Sequence, residues 1–150
     1  MRGASPELQL IPWREDRLVA VLPADHPLAA ERAPVRFAAL AAEPFVGLSS
    51  ASALQQLYRR EAEASGLFVR ERVNVTSFDG VRRMVEAGLG VAVLPETGAE
   101  PHAVGTAIAV RPLGEAWARQ PLALCVRCDM GALPAAARLL AAHLLGRRFP

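Results

Sequence analysis

The pattern of apolar and polar positions changes period twice between residues 71 and 95. Val73 and Val75 alternate with polar neighbours, which is the period of a strand with two unlike faces. Apolar residues then recur at helical spacing, at Val81, Met84, Val85 and Leu89. A short apolar run, 91–94, ends at Pro95 and predicts a buried parallel strand. Together these periods predict one β-α-β unit.

Capping residues predict where two helices begin. Thr76 with Asp79, three residues later, forms a capping box that predicts a helix directly after the strand. Ser52 with Gln55 forms a second box after the apolar run 45–48, which predicts another buried strand. The second helix has an apolar face made of Leu54, Leu57, Tyr58, Ala62 and Ser65, and it ends at Gly66.

The remaining segments complete an alternation of strands and helices. We predict two extended segments joined at a charged turn over 14–17, a short helix over 37–42, a connector over 96–102 and strands over 107–110 and 122–126. Pro134 opens a last helix that ends at Gly146, with inward residues Leu133, Ala137, Leu140 and Leu144. This alternation predicts the α/β class with a mostly parallel sheet.

Two motifs, in order and at matching spacing, carry a resemblance to a known family. Residues 77–95 read SFDGVRRMVEAGLGVAVLP, and the upstream residues read DRLVAVLP over 16–23 and DHPLA over 25–29. From about residue 8 to the C-terminus, the chain resembles the effector-binding domain of LysR-type transcriptional regulators.

This resemblance implies a type-2 periplasmic-binding-protein-like α/β fold, with one complete lobe plus part of the second. Residues 1–16 would be a remnant of the first lobe and the crossing segment. Residues 17–112 would form the complete lobe, and 113–150 would return to the first lobe with the C-terminal helix. The resemblance also implies truncation at the N-terminus, a fragment without the family's front segment and its DNA-binding helix-turn-helix.

The two predicted helix starts supply candidate ligand-binding residues. In open α/β sheets ligands bind outside the carboxyl ends of strands, and helix N-termini with hydroxyl donors suit a carboxylate. Ser52 and Thr76 each have a capping partner, so capping alone is the alternative role for them. Ser49, Ser50 and Ser77 are not needed by those caps, which favours ligand contact. With the resemblance, the predicted effector-binding set is Ser49, Ser50, Ser52, Thr76, Ser77 and Phe78.

Composition excludes several classes of protein. The chain is 52% hydrophobic and 21% charged, as a folded domain is, and its net charge of +2 is too small to indicate a nucleic-acid or anionic-membrane surface. All 17 basic residues are Arg. No run approaches the roughly 18 apolar residues of a spanning helix, and residues 1–11 lack the apolar region of a signal peptide. We therefore expect a cytoplasmic protein.

Neither a metal site nor a catalytic site is predicted. Cys125 and Cys128 form a lone C-x-x-C without a second pair, so we expect buried or semi-buried thiols, no metal and no cofactor. The segment GLSSA over 47–51 is similar to the nucleophile elbow of a serine hydrolase, but Ala51 replaces the second Gly and only His102 and His143 lie downstream.

The sequence thus predicts an effector-sensing domain and not an enzyme. Its expected partners are a small effector, a carboxylate or other small anion, and a second copy of the chain, since the family implies dimers in which helix 54–66 takes part. We expect no direct nucleic-acid binding and no membrane binding. A solute-binding protein of a transport system is the alternative with the same fold, and a serine hydrolase is the alternative from another class.

Overall fold

The computed structural model describes residues 7–49 and 51–146. The strands are β1 (Leu8–Pro23), β2 (Phe45–Leu48), β3 (Glu71–Val75), β4 (Ala92–Pro95), β5 (Ile108–Pro112) and β6 (Arg119–Arg127). The α-helices are α1 (Phe37–Ala41), α2 (Ala53–Ala64), α3 (Phe78–Glu86), α4 (Glu96–Ala99) and α5 (Ala135–Leu145). Short 3-10 helices occur at Pro27–Ala29, Glu100–His102, Ala116–Ala118 and Met130–Ala132. Strands alternate with helices, which confirms the α/β class. Among the described residues, no helix is long and apolar enough to cross a membrane.

The chain forms two compact units. One consists of Arg17–Arg119, and the other combines Met1–Asp16 with Gln120–Pro150. In the second of these, β6 pairs with β1, and the Cys128 N–H donates to the Glu7 carbonyl at 2.8 Å. The candidate residues from Ser49 to Phe78 all belong to the first.

Strand β1 lies between β4 and β5 and is antiparallel to both. Leu18 pairs with Pro95, and Val19 pairs with Leu94 on one side and Pro112 on the other. The mostly parallel sheet predicted from the alternation of elements is therefore wrong for this sheet. A crossover helix makes the two strands that it joins parallel. Strand β1 precedes the first crossover helix, so the pattern of alternating elements does not determine its direction.

Both faces of β1 are buried over residues 18–22, which explains the unbroken apolar run there. Leu18, Ala20 and Leu22 lie in a core cluster with residues of α1 and α2. Val19 and Val21 lie in a second cluster with residues of α3, on the other face.

Strands β2 and β3, which α2 connects, pair in parallel, as the predicted alternation of strands and helices implies. The predicted β-α-β unit joins β3 to β4, but these two strands belong to different sheets. Phe45 also forms a parallel bridge to Val91, next to β4. The backbones approach closely here: the Val91 N–H donates to the Pro44 carbonyl at 2.9 Å, and the Val46 N–H donates to the Val91 carbonyl at 2.8 Å. A Cβ on Gly90 would overlap the Pro44 carbonyl oxygen, so only glycine fits at this position.

Three local predictions were wrong. The charged segment over 14–17 is not a turn, because β1 is one continuous strand of 16 residues. The predicted connector over 96–102 contains α4 and a 3-10 helix. Cys125 and Cys128 are exposed, not buried, because the strand that carries Cys125 alternates between exposed and half-buried positions.

One residue of the predicted inward face of α5 was wrong. Leu140 is 58% exposed, whereas Ala141 is buried. Leu133, Ala137 and Leu144 are half-buried, in agreement with the prediction, so the inward face follows positions 137, 141 and 144. This repeat has the helical spacing of four and three residues.

A buried carboxylate joins α2 to β3. The side chain of Glu71 is only 7% exposed, and its Oε1 accepts from Gln55 Nε2 at 2.6 Å and from Arg59 Nε at 2.8 Å. Its Oε2 accepts from Arg59 Nη2 at 2.7 Å and from Asn74 Nδ2 at 3.2 Å. Arg59 therefore binds in the two-pronged geometry that makes charge-assisted hydrogen bonds strong.

These donors control the charge of Glu71. Burial by itself raises the pKa of the carboxyl, but the hydrogen bonds from Arg59, Gln55 and Asn74 outweigh it and hold the pKa below its ordinary value of 4.5. Burial, and then the nearby Glu71 charge, raise the pKa of Tyr58, which lies in the same cluster. Glu71 is therefore ionised and Tyr58 neutral across the physiological range.

We predict that Gly90→Ala lowers the free energy of unfolding by about 1–3 kcal/mol, because the new methyl group displaces the Pro44 backbone and its bond to Val91. The matched control is Gly114→Ala, whose Cβ would lie 3.5 Å from Arg36 Cδ, an ordinary contact. Chemical denaturation of the three proteins tests this, and equal midpoints would contradict it.

We predict that Glu71→Gln lowers the free energy of unfolding near neutral pH by about 1–3 kcal/mol, because Arg59 loses its charged partner. Since the folded-state pKa is depressed, the stabilisation is complete above the ordinary value of 4.5 and is lost as pH falls through the folded-state pKa. The difference between parent and variant should therefore shrink in acid. Denaturation across a pH series measures this. The control is Glu63→Gln at an exposed position, and a pH-independent difference would refute the role of charge.

Candidate functional site

Two of the predicted ligand-binding segments lie side by side at one edge of the sheet. Leu48 and Val75, the last residues of β2 and β3, are paired in register. Ser49 and Thr76 follow them directly, and the chain then enters α2 and α3. Because the strands are parallel, both helices begin at the same edge, where ligands bind in open α/β sheets.

At the start of α2, Ser52 is the N-cap, as predicted. Its Oγ accepts from the Gln55 N–H at 3.1 Å, and its own N–H donates to the Ser49 carbonyl at 2.8 Å. The Gln55 side chain does not return to Ser52, as a reciprocal capping box requires, but donates to Glu71. Ser49 and Ser52 are half-buried. Ser50 lies outside the described residues, so its predicted ligand contact stays a prediction.

At the start of α3, the predicted cap was wrong by one residue. Ser77, not Thr76, is the N-cap, and its Oγ accepts from the Gly80 N–H at 3.0 Å. Asp79 does not reach back to Thr76; its carboxylate accepts from Arg83 Nε at 2.8 Å and from Arg82 Nη2 at 3.2 Å. Strand β3 ends at Val75, which leaves two residues before the helix and gives the capping position to the second. Thr76 is exposed and leaves the cap to Ser77.

Arg82 and Arg83 keep Asp79 ionised and offset its negative charge. The hydrogen bond from Arg83 is the main cause that lowers the pKa of Asp79. An acidic residue in the first turn opposes an incoming anion, but here two guanidinium groups bind it. The positive end of the α3 dipole is therefore not cancelled by an unpaired negative charge.

Phe78 begins α3 and contacts α4. Its ring carbons would lie 3.0 Å from a Cβ on Gly98, so the ring packs on a glycine surface. Arg82 Nη1 donates to the Gly98 carbonyl at 2.6 Å and fixes the two helices together. Phe78 remains 36% exposed, so part of this apolar residue is accessible to solvent at the start of α3.

Two contributors to this edge were missed from the sequence. Helix α4 begins directly after β4, where Pro95 and Glu96 were a signal for a helix start. Gln55 is 1% exposed on the apolar side of α2 with Tyr58 and Ala62, so a polar residue in an apolar helical repeat was the signal for the Glu71 cluster. Among the described residues, no three His, Cys, Asp or Glu side chains gather into a metal site.

Comparison with known proteins agrees with this architecture. The CcmR regulatory domain of Synechocystis PCC6803, solved in complex with 2-PG, matches with a TM-score of 0.82 at 17% identity, over 97% of this chain and 69% of that one. The effector-binding domain of QuiR in complex with shikimate matches with a TM-score of 0.78 at 16% identity, over 97% and 68%. The fold is therefore that of LysR effector-binding domains, and the predicted type-2 periplasmic-binding-protein-like class is confirmed.

Sequence comparison identifies the family. A RuBisCO operon transcriptional regulator from Allochromatium vinosum is 34% identical over 88 residues, which are 59% of this chain and 29% of that regulator. The matched segment thus spans less than a third of the curated relative. The family described as the LysR substrate binding domain matches residues 1–147, which include every residue that the structure describes. The chain belongs to the LysR substrate binding domain family.

Proposed function

We propose that this chain senses a small anionic effector for a LysR-type transcriptional regulator, and that the starts of α2 and α3 bind the anion. The observation that carries the proposal is the register of Leu48 with Val75, which brings two helix N-termini to one edge of the sheet. Sensing requires binding without turnover, so no residue here is assigned a catalytic role.

Helix starts bind anions because their first backbone N–H groups have no partner within the helix. At each start, one serine Oγ accepts from a single N–H, that of Gln55 or Gly80. The other first-turn donors and the positive end of the helix dipole favour a negative charge. Two such ends at neighbouring strands favour a group with two or more acceptor oxygens, as a carboxylate has.

Capping and ligand binding are compatible at these serines. A hydroxyl oxygen that accepts from the backbone still carries its own O–H, which can donate to a second acceptor. Ser52 and Ser77 can therefore cap their helices through a lone pair and donate a proton to a ligand oxygen. Capping alone is the alternative role for Ser52. The direction of the Ser52 O–H group in the ligand-bound state distinguishes the two roles.

The chemistry beside the serines suits a carboxylate with an apolar body. Phe78 offers a partly exposed ring next to Ser77. The QuiR effector-binding domain, which shares the fold, was solved with shikimate, a carboxylate. We therefore propose an effector with a carboxylate at the helix starts and carbon groups against Phe78.

We predict that Ser77→Asp abolishes binding without destabilising the fold. Aspartate is as good an N-cap as serine, so the free energy of unfolding should hold within about 0.5 kcal/mol, whereas its negative charge repels the ligand and removes the hydroxyl donor. Calorimetric titration with shikimate and other small carboxylates should show affinity at least about tenfold weaker.

The matched control for this test is Ser77→Thr, which keeps both the capping oxygen and the O–H group. It should bind within about threefold of the parent, since threefold corresponds to less than 1 kcal/mol. Ser50→Ala examines the remaining predicted contact. If Ser77→Asp binds like the parent, the serine only caps its helix and the anion site lies elsewhere.

We also propose that the chain self-associates through α5. Leu139 and Leu140 are 71% and 58% exposed on this helix. By contrast, Leu54 and Leu57 of α2, the helix expected in the dimer, pack against the core. Adjacent leucines on an exposed helix favour coverage by another apolar surface.

We predict that the double variant Leu139→Glu, Leu140→Glu reduces self-association, because charged side chains resist burial at an apolar contact. Light scattering over a concentration series should show a mass that rises for the parent and stays at one chain for the variant. Ala30→Glu, at an exposed position outside α5, controls for added charge. A parent with the mass of one chain at every concentration would refute the proposal.

A further inference from the structure

A cavity of about 430 Å³ lies within the unit 17–119 and shares no residue with the helix starts described above. Its apolar lining includes Leu18 of β1, Leu113 after β5 and Ala118. Three ionisable side chains, those of Arg17, Glu115 and Arg119, also line it. The volume falls in the range of about 300–1,000 Å³ that small-molecule sites occupy, and such sites combine an apolar lining with a few polar groups.

The wall of this cavity is held by hydrogen bonds on each side. The Val35 N–H donates to the Pro112 carbonyl at 2.8 Å, and the Gly114 N–H donates to the Val35 carbonyl at 3.0 Å. The segment that follows is fixed by Trp117, whose ring meets that of Phe37 edge-on at a centroid distance of 5.1 Å. The cavity is therefore preformed, so binding there requires little ordering of the chain.

The Glu115 side chain binds other residues in the wall of the cavity. Its Oε1 accepts from the Phe37 N–H at 2.9 Å and lies 3.3 Å from Arg36 Nε, so this carboxylate caps α1 and has a cationic partner. Its other oxygen, Oε2, is buried from solvent and has no hydrogen-bond partner among the described residues. Arg36 offsets the charge of this carboxylate, which leaves Arg17 and Arg119 as the two cationic side chains of the lining.

The two arginines can serve a ligand as well as the fold. Each takes part in an interaction within the chain, and a guanidinium carries five N–H donors in a fixed fork. Arginine is also suited to planar two-pronged recognition of carboxylates and phosphates. The small exposed residues Gly114 and Ala116 complete the lining and leave it open to solvent.

We propose that this cavity is a second binding site, which takes a small carboxylate with a compact apolar body. The anionic group is bound by Arg17 and Arg119, and the carbon skeleton lies against Leu18, Leu113 and Ala118. Phosphate has no carbon groups, so the apolar lining would stay exposed to water when phosphate binds. A carboxylate with a ring or a branched chain is therefore preferred.

Titration of the 15N-labelled chain with cyclohexanecarboxylate, followed by NMR, locates the site directly. Amide signals of residues 17–19 and 113–119 should move. The neutral isostere cyclohexanecarboxamide should bind at least about tenfold more weakly, because the charge-assisted hydrogen bonds are lost. Inorganic phosphate should also bind more weakly.

Two variants test the cavity independently. Ala116→Trp places a large side chain at an exposed lining position and should weaken binding at least about tenfold, whereas Ala136→Trp, at an exposed position outside the cavity, should leave it unchanged. Arg17→Gln should weaken binding of the carboxylate more than binding of the amide. A thermal melt of each variant confirms that the fold is retained.

The map of shifted signals separates this inference from the proposed effector site. Shifts confined to residues 49–52 and 76–80 would overturn the second site and leave the proposed function standing. Shifts confined to the cavity residues, lost in Ala116→Trp, would support the second site against the helix starts. Shifts at the cavity that Ala116→Trp does not change would overturn the assignment, as would the absence of shifts at millimolar probe.

Discussion

The parallel pairing of β2 with β3 is the constraint on which the candidate site depends. A shift of one residue in this register would turn every side chain of β3 to the opposite face and move Thr76 and Ser77 away from Ser49. The Glu71 cluster opposes such a shift, because the same carboxylate accepts hydrogen bonds from α2 and from Asn74 of β3. Asn74 in turn covers Gly47 of β2, where a Cβ would overlap its amide. The position of the helix starts is thus fixed by a buried polar group behind them.

In the proposed effector site, folding and binding use the same serine side chains. Each helix start needs a side-chain oxygen to satisfy a backbone N–H, and serine provides one while keeping an O–H for a ligand. Aspartate caps equally well but places a negative charge where an anion is expected. Serine and aspartate would therefore stabilise these helices about equally, so helix stability does not decide between them at positions 52 and 77. Serine favours an anionic ligand, whereas aspartate would both cap the helix and bind a cationic ligand.

The sequence predicted the elements that have a regular apolar period. It did not predict the features that depend on a contact with a residue distant in the sequence. The apolar periods located α2, α3, β3 and β4, because burial on one or two faces leaves a regular pattern. The position of the α3 cap was missed, because Thr76 and Ser77 are both capable N-caps and the choice depends on where β3 ends. The direction of β1 and the inward face of α5 depend on neighbours in space, and local periodicity does not encode them. The role of Glu71 depends on Gln55 and Arg59 of α2, and the period of its own strand does not encode these partners.

The arginines show why a basic composition need not mean a nucleic-acid surface. The chain has 17 basic residues, all arginine, and several of them tie elements together. Arg59 binds Glu71 through two nitrogens, Arg82 joins Asp79 to the Gly98 carbonyl, and Arg111 reaches the carbonyls of Val110 and Ala29. The three N–H donors of a lysine ammonium share one nitrogen, so lysine does not bind two acceptors in one plane as a guanidinium does. Within the described residues, these arginines act first as connectors of the fold. In the proposed second site, Arg17 and Arg119 are suited to ligand recognition because they border a preformed apolar cavity.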